Sequence, residues 1–215
     1  MPGRIIITGG EGGLGQAIAG EFRVAGWEVA APGRVDLDVA SPGSVAAFFK
    51  DRETDLLVCN AGLTRDVPLV KLSEADWDAV LQTNLHGAAR CAKAALRGMV
   101  KRRTGHVVFI SSFSALHPPA GQAAYAAAKA GLIGLGKSLA REVGRAGVRI
   151  NVVLPGFLET RMTTGVSPER RDEVLTEHTL GRFNTPGAVA RFIRTLEEGL
   201  PHTSGQIFQL DSRVA

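Results

Sequence analysis

The chain has 215 residues, 45% hydrophobic and 21% charged, a balance that suits a single folded domain over residues 1–215 and excludes an intrinsically disordered chain. Its 25 lysines and arginines against 21 acids leave a formal charge of +4, spread along the chain apart from Lys101-Arg102-Arg103, and no nucleic-acid-binding motif accompanies it. No apolar run reaches the roughly 20 residues of a membrane-spanning helix.

The N-terminus lacks the apolar region of a signal peptide. Cys59 and Cys91 have neither metal-ligand spacing nor the look of a disulfide framework. A reducing, cytoplasmic setting is expected, with no metal, nucleic-acid or membrane partner.

Ile5-Ile6-Ile7 is a β-branched run of the kind that forms a buried parallel strand. Thr8 ends it, and the loop Thr8-Gly9-Gly10-Glu11-Gly12-Gly13-Leu14-Gly15 leads into a helix expected over 16–25. Strand, glycine loop and helix in that order make a phosphate-binding arrangement. The backbone can approach a pyrophosphate closely, and the helix N-terminus offers unpaired N–H groups. A tight structural turn would favour the same glycines.

A second strand is expected over 28–31, followed within a few residues by Val35-Asp36-Leu37-Asp38-Val39. A crossover between parallel strands needs about a dozen residues. The helix and strand that would normally follow are therefore expected to be shortened or missing, leaving the second strand at the sheet edge. Arg34, just beyond that strand, is placed to meet the 2′ position of an adenosine ribose; the alternative is an exposed loop arginine.

A helix is expected over 41–52, with Ser41 as N-cap and Pro42 at its first position. Asp55-Leu56-Leu57-Val58-Cys59 is the next buried strand, which empties into Asn60-Ala61-Gly62. One long helix is expected over 73–102, with Asn84 embedded among apolar positions. A mid-helix Asn is a poor helix former. It is either a buried side chain bonded to a neighbouring strand or a functional group.

The strand at 106–110 ends in Ser111-Ser112, at the strand ends where ligands sit in such sheets. The helix that follows carries Tyr125, the only tyrosine, and Lys129 one turn later. Residues four apart share a helix face. A nearby cation stabilises a phenolate and lowers a phenol pKa that is ordinarily about 10. Tyr125 is the candidate general acid/base, although an isolated pair of this spacing also occurs on solvated helices. Small residues, among them Ala126, Ala127, Ala130, Gly131 and Gly134, suit close packing of this helix, across a subunit interface or on its own sheet. A strand over 148–154, a polar segment with a short helix near 168–177, a helix over 186–198 and a strand over 206–210 complete the chain. The polar segment is a candidate substrate lid. The fold class is α/β: a doubly wound, Rossmann-like parallel sheet in a three-layer αβα arrangement.

Taken together, these stretches resemble the short-chain dehydrogenase/reductase family along essentially the whole chain. The likeness rests on the Thr8–Gly15 loop, Asp38-Val39, Asn60-Ala61-Gly62, the set Ser112, Tyr125 and Lys129, and Pro155-Gly156 with Thr160. Ser112 precedes Tyr125 by thirteen residues, the family's spacing, which selects it over Ser111.

The resemblance implies hydride transfer between a nicotinamide and a carbonyl carbon, with Tyr125 protonating the carbonyl oxygen and Ser112 holding it. Lys129 would lower the tyrosine pKa and reach the nicotinamide ribose, and Asn84 would support a proton relay. Thr8, Gly9, Gly13, Leu14 and Gly15 would cradle the pyrophosphate. Asp38 and Val39 would touch the adenine, Asn60, Ala61 and Gly62 would wall the ribose, and Pro155, Gly156 and Thr160 would flank the carboxamide.

Glu11 and Gly12 occupy loop positions where NADP-preferring members often carry Ser, Arg or Lys, whereas Arg34 matches the basic position of NADP users. The balance leans to NADP over NAD. Asp211-Ser212-Arg213 replaces the family's usual D-G-G. Within the family the chain looks most like 3-oxoacyl-(acyl carrier protein) reductases, which implies a thioester substrate, a possible acyl carrier protein partner and a homodimer or homotetramer. Arg103 lies at a carrier-facing position of those enzymes, with Arg145 beside the second such position, which is Ala146 here. A sugar or secondary-alcohol dehydrogenase is the alternative activity. A non-catalytic dinucleotide-binding regulatory protein is the alternative of another class.

Overall fold

A computed structural model describes residues 3–214. Six strands form one parallel sheet: β1 (Arg4–Ile7), β2 (Glu28–Ala30), β3 (Leu56–Cys59), β4 (Gly105–Ile110), β5 (Val148–Leu154) and β6 (Ile207–Gln209). Their order is β2-β1-β3-β4-β5-β6. The sheet is built from residues that are apolar on both faces. Ile5, Ile7, Leu56, Val58, Val108 and Ile110 pack on one side under α1 (Gly13–Val24) and α7 (Pro186–Glu198). Their neighbours Ile6, Leu57, Cys59, Val107 and Phe109 pack on the other, under α2 (Pro42–Phe49), α4 (Ala88–Arg102) and α5 (Ala123–Val143). Alternation along each strand therefore feeds two cores, which is why these runs read as continuously hydrophobic.

The sheet's short side lies where the sequence predicted it. Among the described residues β2 pairs with β1 alone, and residues 31–41 run through turns straight to α2. Residues 34–36 form the turn, closed by Leu37 N–H donating to the Gly33 carbonyl at 3.0 Å. A doubly wound sheet usually continues with a third strand outside the second; this chain stops at β2.

The long helix expected over 73–102 is not continuous. It is divided into α3 (Glu74–Leu81), a π-type turn over Gln82–Gly87, and α4. Asn84 explains the break. Its Nδ2 donates to the Val80 carbonyl at 2.9 Å, one turn back, so the side chain takes an acceptor that a regular helix gives to the backbone. Such single widened turns are frequent at functional sites. α3 starts at Ser73, whose hydroxyl accepts from Asp76 N, and α2, α6 (Pro168–Thr176) and α7 each start with a Ser or Thr cap followed by Pro.

The small residues of α5 divide between two roles. A Cβ at Gly136 would lie 2.6 Å from Val152, and one at Gly131 would lie 2.9 Å from Leu85, so these two let the helix settle on its own sheet and on the π-type turn. Gly134 faces open space.

Candidate active site

The C-terminal ends of β1 to β5 deliver the glycine loop, Arg34, Asn60-Ala61-Gly62, Ser111-Ser112 and Pro155-Gly156 to one edge of the sheet. Thr8 is the hub. Its hydroxyl accepts from the backbone N–H groups of Asn60 and Ala61, both at 3.0 Å, while Asn60 Nδ2 donates to the carbonyls of Thr8 and Gly9 at 3.1 Å. These bonds bind the glycine loop to the end of β3.

Gly9 has φ of +65°, and a Cβ there would lie 2.8 Å from Ala61 Cα. A Cβ on Gly15 would meet the Gly9 carbonyl at 2.5 Å. Leu14 is buried under the sheet, and Gly13 faces Thr160, whose Cγ2 lies 3.0 Å from the position of a Cβ. α1 starts without a side-chain cap and without an acid in its first turn, so its positive end is free for an anion. The cradle therefore fits a dinucleotide pyrophosphate on steric and electrostatic grounds.

Arg34 is exposed and leans 3.7 Å from Asp38 Oδ2, while Asp38 Oδ1 also accepts from Ala40 N at 3.0 Å. Val39 is buried, and a Cβ on Gly87 would fall 2.7 Å from it, so its side chain serves the core. Gly156 has φ of +84° and lies against Asp211, and the Pro155 carbonyl accepts from Asn184 Nδ2 at 2.9 Å.

At the centre, the Ser112 hydroxyl acts on the Tyr125 phenol and accepts from Ser114 N–H at 3.2 Å. Burial pushes that phenol up to about 12, and the Asp66 carboxylate adds to the rise while Ser112 opposes it. Lys129 is buried, with Nζ donating to the Ile110 carbonyl at 2.8 Å and lying 5.5 Å from the Tyr125 ring centre. Burial brings it down to about 8. The four-residue spacing predicts only the cation's pull on the phenol; in the folded chain, desolvation is the larger effect on both groups.

Ser111, the serine passed over, donates to the Lys129 backbone carbonyl at 2.8 Å and ties β4 to α5. Asn84 is buried, donating to the Leu63 carbonyl at 2.8 Å and accepting from Leu63 N at 3.3 Å. A Cβ on Gly62 would lie 2.6 Å from Asn84 Oδ1 and 3.6 Å from Lys129 Nζ, so these two polar groups meet across the glycine.

Sequence reasoning missed three contributors. Ser114 Oγ bonds Gln122 Oε1 at 2.9 Å, and Gln122 Nε2 donates to Asp66 Oδ2 at 2.7 Å, which fixes a carboxylate that acts on Tyr125. Asp66 lies far in sequence from Ser114 and Gln122, and no local pattern marks the three. A further contact that no local pattern marks is Glu11 against Gly33, where a Cβ would come within 2.5 Å of all three carboxyl atoms.

Comparison with known proteins agrees with this geometry. The family described as enoyl-(acyl carrier protein) reductase matches residues 30–212. The 3-oxoacyl-[acyl-carrier-protein] reductase of Escherichia coli is 36% identical over 214 residues, covering 89% of this chain and 88% of that protein. The acetoacetyl-CoA reductase of a Synechocystis species is 40% identical over 202 residues, covering 86% and 84%. The crystal structure of an oxidoreductase of the short-chain dehydrogenase/reductase family from Burkholderia thailandensis matches with a TM-score of 0.91 at 32% identity, covering 99% of this chain and 92% of that one. With a glycine loop bound to the end of β3 and a serine–tyrosine–lysine centre beneath it, this chain belongs to the short-chain dehydrogenase/reductase family of NAD(P)-dependent oxidoreductases.

Proposed function

We propose that the protein reduces 3-oxoacyl thioesters or closely related ketones to secondary alcohols, with Tyr125 as the acid. The observation that carries this reading is the grouping of Ser112 and Lys129 about Tyr125, with Asn84 and Lys129 both beside Gly62. Relatives named as reductases of 3-oxoacyl-carrier and acetoacetyl-CoA substrates support the thioester.

When bound, the nicotinamide supplies hydride to the carbonyl carbon. The Tyr125 phenol, protonated at neutral pH, donates its proton to the carbonyl oxygen as the C–O double bond becomes single. Ser112 hydrogen-bonds the same oxygen and keeps it beside the phenol. The Lys129 ammonium, fixed by the Ile110 carbonyl, stabilises the phenolate left behind. Asn84 holds the loop at Leu63 and lines the route by which that phenolate regains a proton.

Exposed Lys101, Arg103 and Arg145 form a basic surface that supports docking of an acyl carrier protein, with Arg103 Nη2 donating to the Arg145 carbonyl at 2.8 Å. Exposed Ala127, Ala130 and Gly134 on α5 support self-association as a dimer or tetramer, and the two buried thiols suit a reducing, cytoplasmic setting.

The test is oxidation of reduced nicotinamide cofactor with acetoacetyl-CoA, comparing the native chain with Tyr125→Phe. The variant is expected to lose at least about 100-fold in kcat while binding cofactor as before. Turnover that survives the substitution would remove Tyr125 from the chemistry. Turnover with sugars or simple alcohols in place of the thioester would shift the substrate class. Cofactor binding without turnover on any ketone would leave the regulatory reading.

A further inference from the structure

The sequence leans to NADP through Arg34, yet the end of β2 is arranged around a different residue. Gly10 N–H donates to the Pro32 carbonyl at 3.0 Å, and a Cβ on Gly10 would lie 2.3 Å from the Ala31 carbonyl oxygen. The glycine loop is therefore pressed onto residues 31–33 with no room for a side chain between them.

Glu11, the next residue, folds its carboxylate over Gly33. A Cβ on Gly33 would sit 2.2 Å from Glu11 Cδ, and 2.3 and 2.5 Å from its two oxygens. Gly33 has no positive φ, so its lack of a side chain matters here for the space it leaves the carboxylate. The Glu11 backbone carbonyl takes a hydrogen bond from Gln16 Nε2, while its carboxylate oxygens take none among the described residues. The side chain is exposed and free to accept.

In a dinucleotide site of this order the pyrophosphate lies over the glycine loop and the adenosine ribose at the end of the second strand. An acid about 20 residues beyond the loop usually accepts from the ribose 2′-hydroxyl. Gly33 stands at that place, and the loop supplies the acid instead. Arg34 is 82% exposed and already faces a carboxylate of its own turn, Asp38 Oδ2 at 3.7 Å.

We propose that Glu11 is the specificity-determining residue of the cofactor site, accepting from the adenosine ribose 2′-hydroxyl and rejecting a 2′-phosphate, so that the protein prefers NAD(H) to NADP(H). This inference rests on the dinucleotide site of the proposed function. A 2′-hydroxyl donates to the carboxylate. A 2′-phosphate removes that donor and puts a second anion against the first, at a place where the competing cation is shared with Asp38.

The test is direct binding of NADH and NADPH to the purified chain by fluorescence titration, for the native protein, Glu11→Gln and Arg34→Ala. NADH is expected to bind at least about tenfold more tightly than NADPH, a difference of about 1.4 kcal/mol. Glu11→Gln removes the charge at unchanged size and is expected to tighten NADPH by a similar factor. Arg34→Ala is expected to change the NADPH-to-NADH ratio less than about twofold, and rising salt to narrow the native gap by screening. NADPH bound as tightly as NADH by the native chain, or lost selectively in Arg34→Ala, would overturn the assignment to Glu11 and leave the dinucleotide site standing. Failure of both nucleotides to bind would overturn that site and this inference with it.

Discussion

Tyr125 and Lys129 start from protonation states that suit reduction. With the phenol pushed up to about 12 and the ammonium brought down to about 8, both carry their protons at neutral pH. Raising the pH removes the lysine proton first. The phenol keeps its proton but loses the cation that stabilises the phenolate it must become. The expected kcat/KM for reduction is level near neutrality and falls above about pH 8, up to about tenfold per pH unit once Lys129 is deprotonated. Lys129→Met should be slow throughout and lack that limb. A native profile level to pH 10, measured with cofactor in excess, would detach Lys129 from the proton transfer. The pair itself was legible in the sequence because four-residue spacing on a helix is a local rule. The balance between cation and burial was not, since desolvation depends on what β4 and the Asp66 loop place around the ring.

At the scale of elements, the widened turn between α3 and α4 and the loop after β3 act as one unit. Asn84 joins them through both backbone groups of Leu63, and Gly62 is the point of closest approach. Gly62→Ala is a sharp test, because its Cβ would lie 2.6 Å from the Asn84 amide oxygen, a buried atom held by its own hydrogen bonds. We expect a loss of about 1–3 kcal/mol in urea unfolding together with at least a tenfold fall in kcat, about 1.4 kcal/mol of transition-state stabilisation. A variant as stable and active as the native chain would mean that the amide moves freely. Asn84 was visible in the sequence as an anomaly of composition in an apolar helix. The break in the helix was not, because it arises when the side chain competes for the Val80 carbonyl, and helical periodicity continues on either side.

Across the whole molecule, the C-terminal residues hold the segment between β5 and α7. Arg213 pairs with Asp211 at 2.6 Å and with Glu177 at 3.7 Å, and its guanidinium lies 3.5 Å from the centre of the Phe113 ring, next to Ser112. Ser212 accepts from Thr179 N–H at 3.1 Å, and Asp211 packs against Gly156. The triplet that departs from the family's D-G-G is therefore a latch between the α6 segment and the loop after β4. Arg213→Ala is expected to speed amide hydrogen exchange over residues 168–181 and to raise KM for the thioester severalfold, with a smaller change in kcat. Unchanged exchange in that segment would mean that its own contacts hold it. The same scale contains the open edge at β2. Its cause, too few residues for a crossover, was readable from chain length alone.

The sequence by itself determined the strands, the edge of the sheet where the glycine loop and the loop after β4 meet, the shortened segment after β2, and the pairing of Tyr125 with Lys129, while Ser112 was singled out by family resemblance alone. Apart from Ser112, each follows from local periodicity, short-range spacing or chain-length limits. Tertiary structure decided the contacts that tune the site: Asp66 acting on Tyr125, Arg213 over Phe113, Asn84 bridging to Leu63, and Glu11 in the space above Gly33. These depend on which loops the parallel sheet brings side by side. Burial and through-space charge are properties of that arrangement, and no window of sequence contains them.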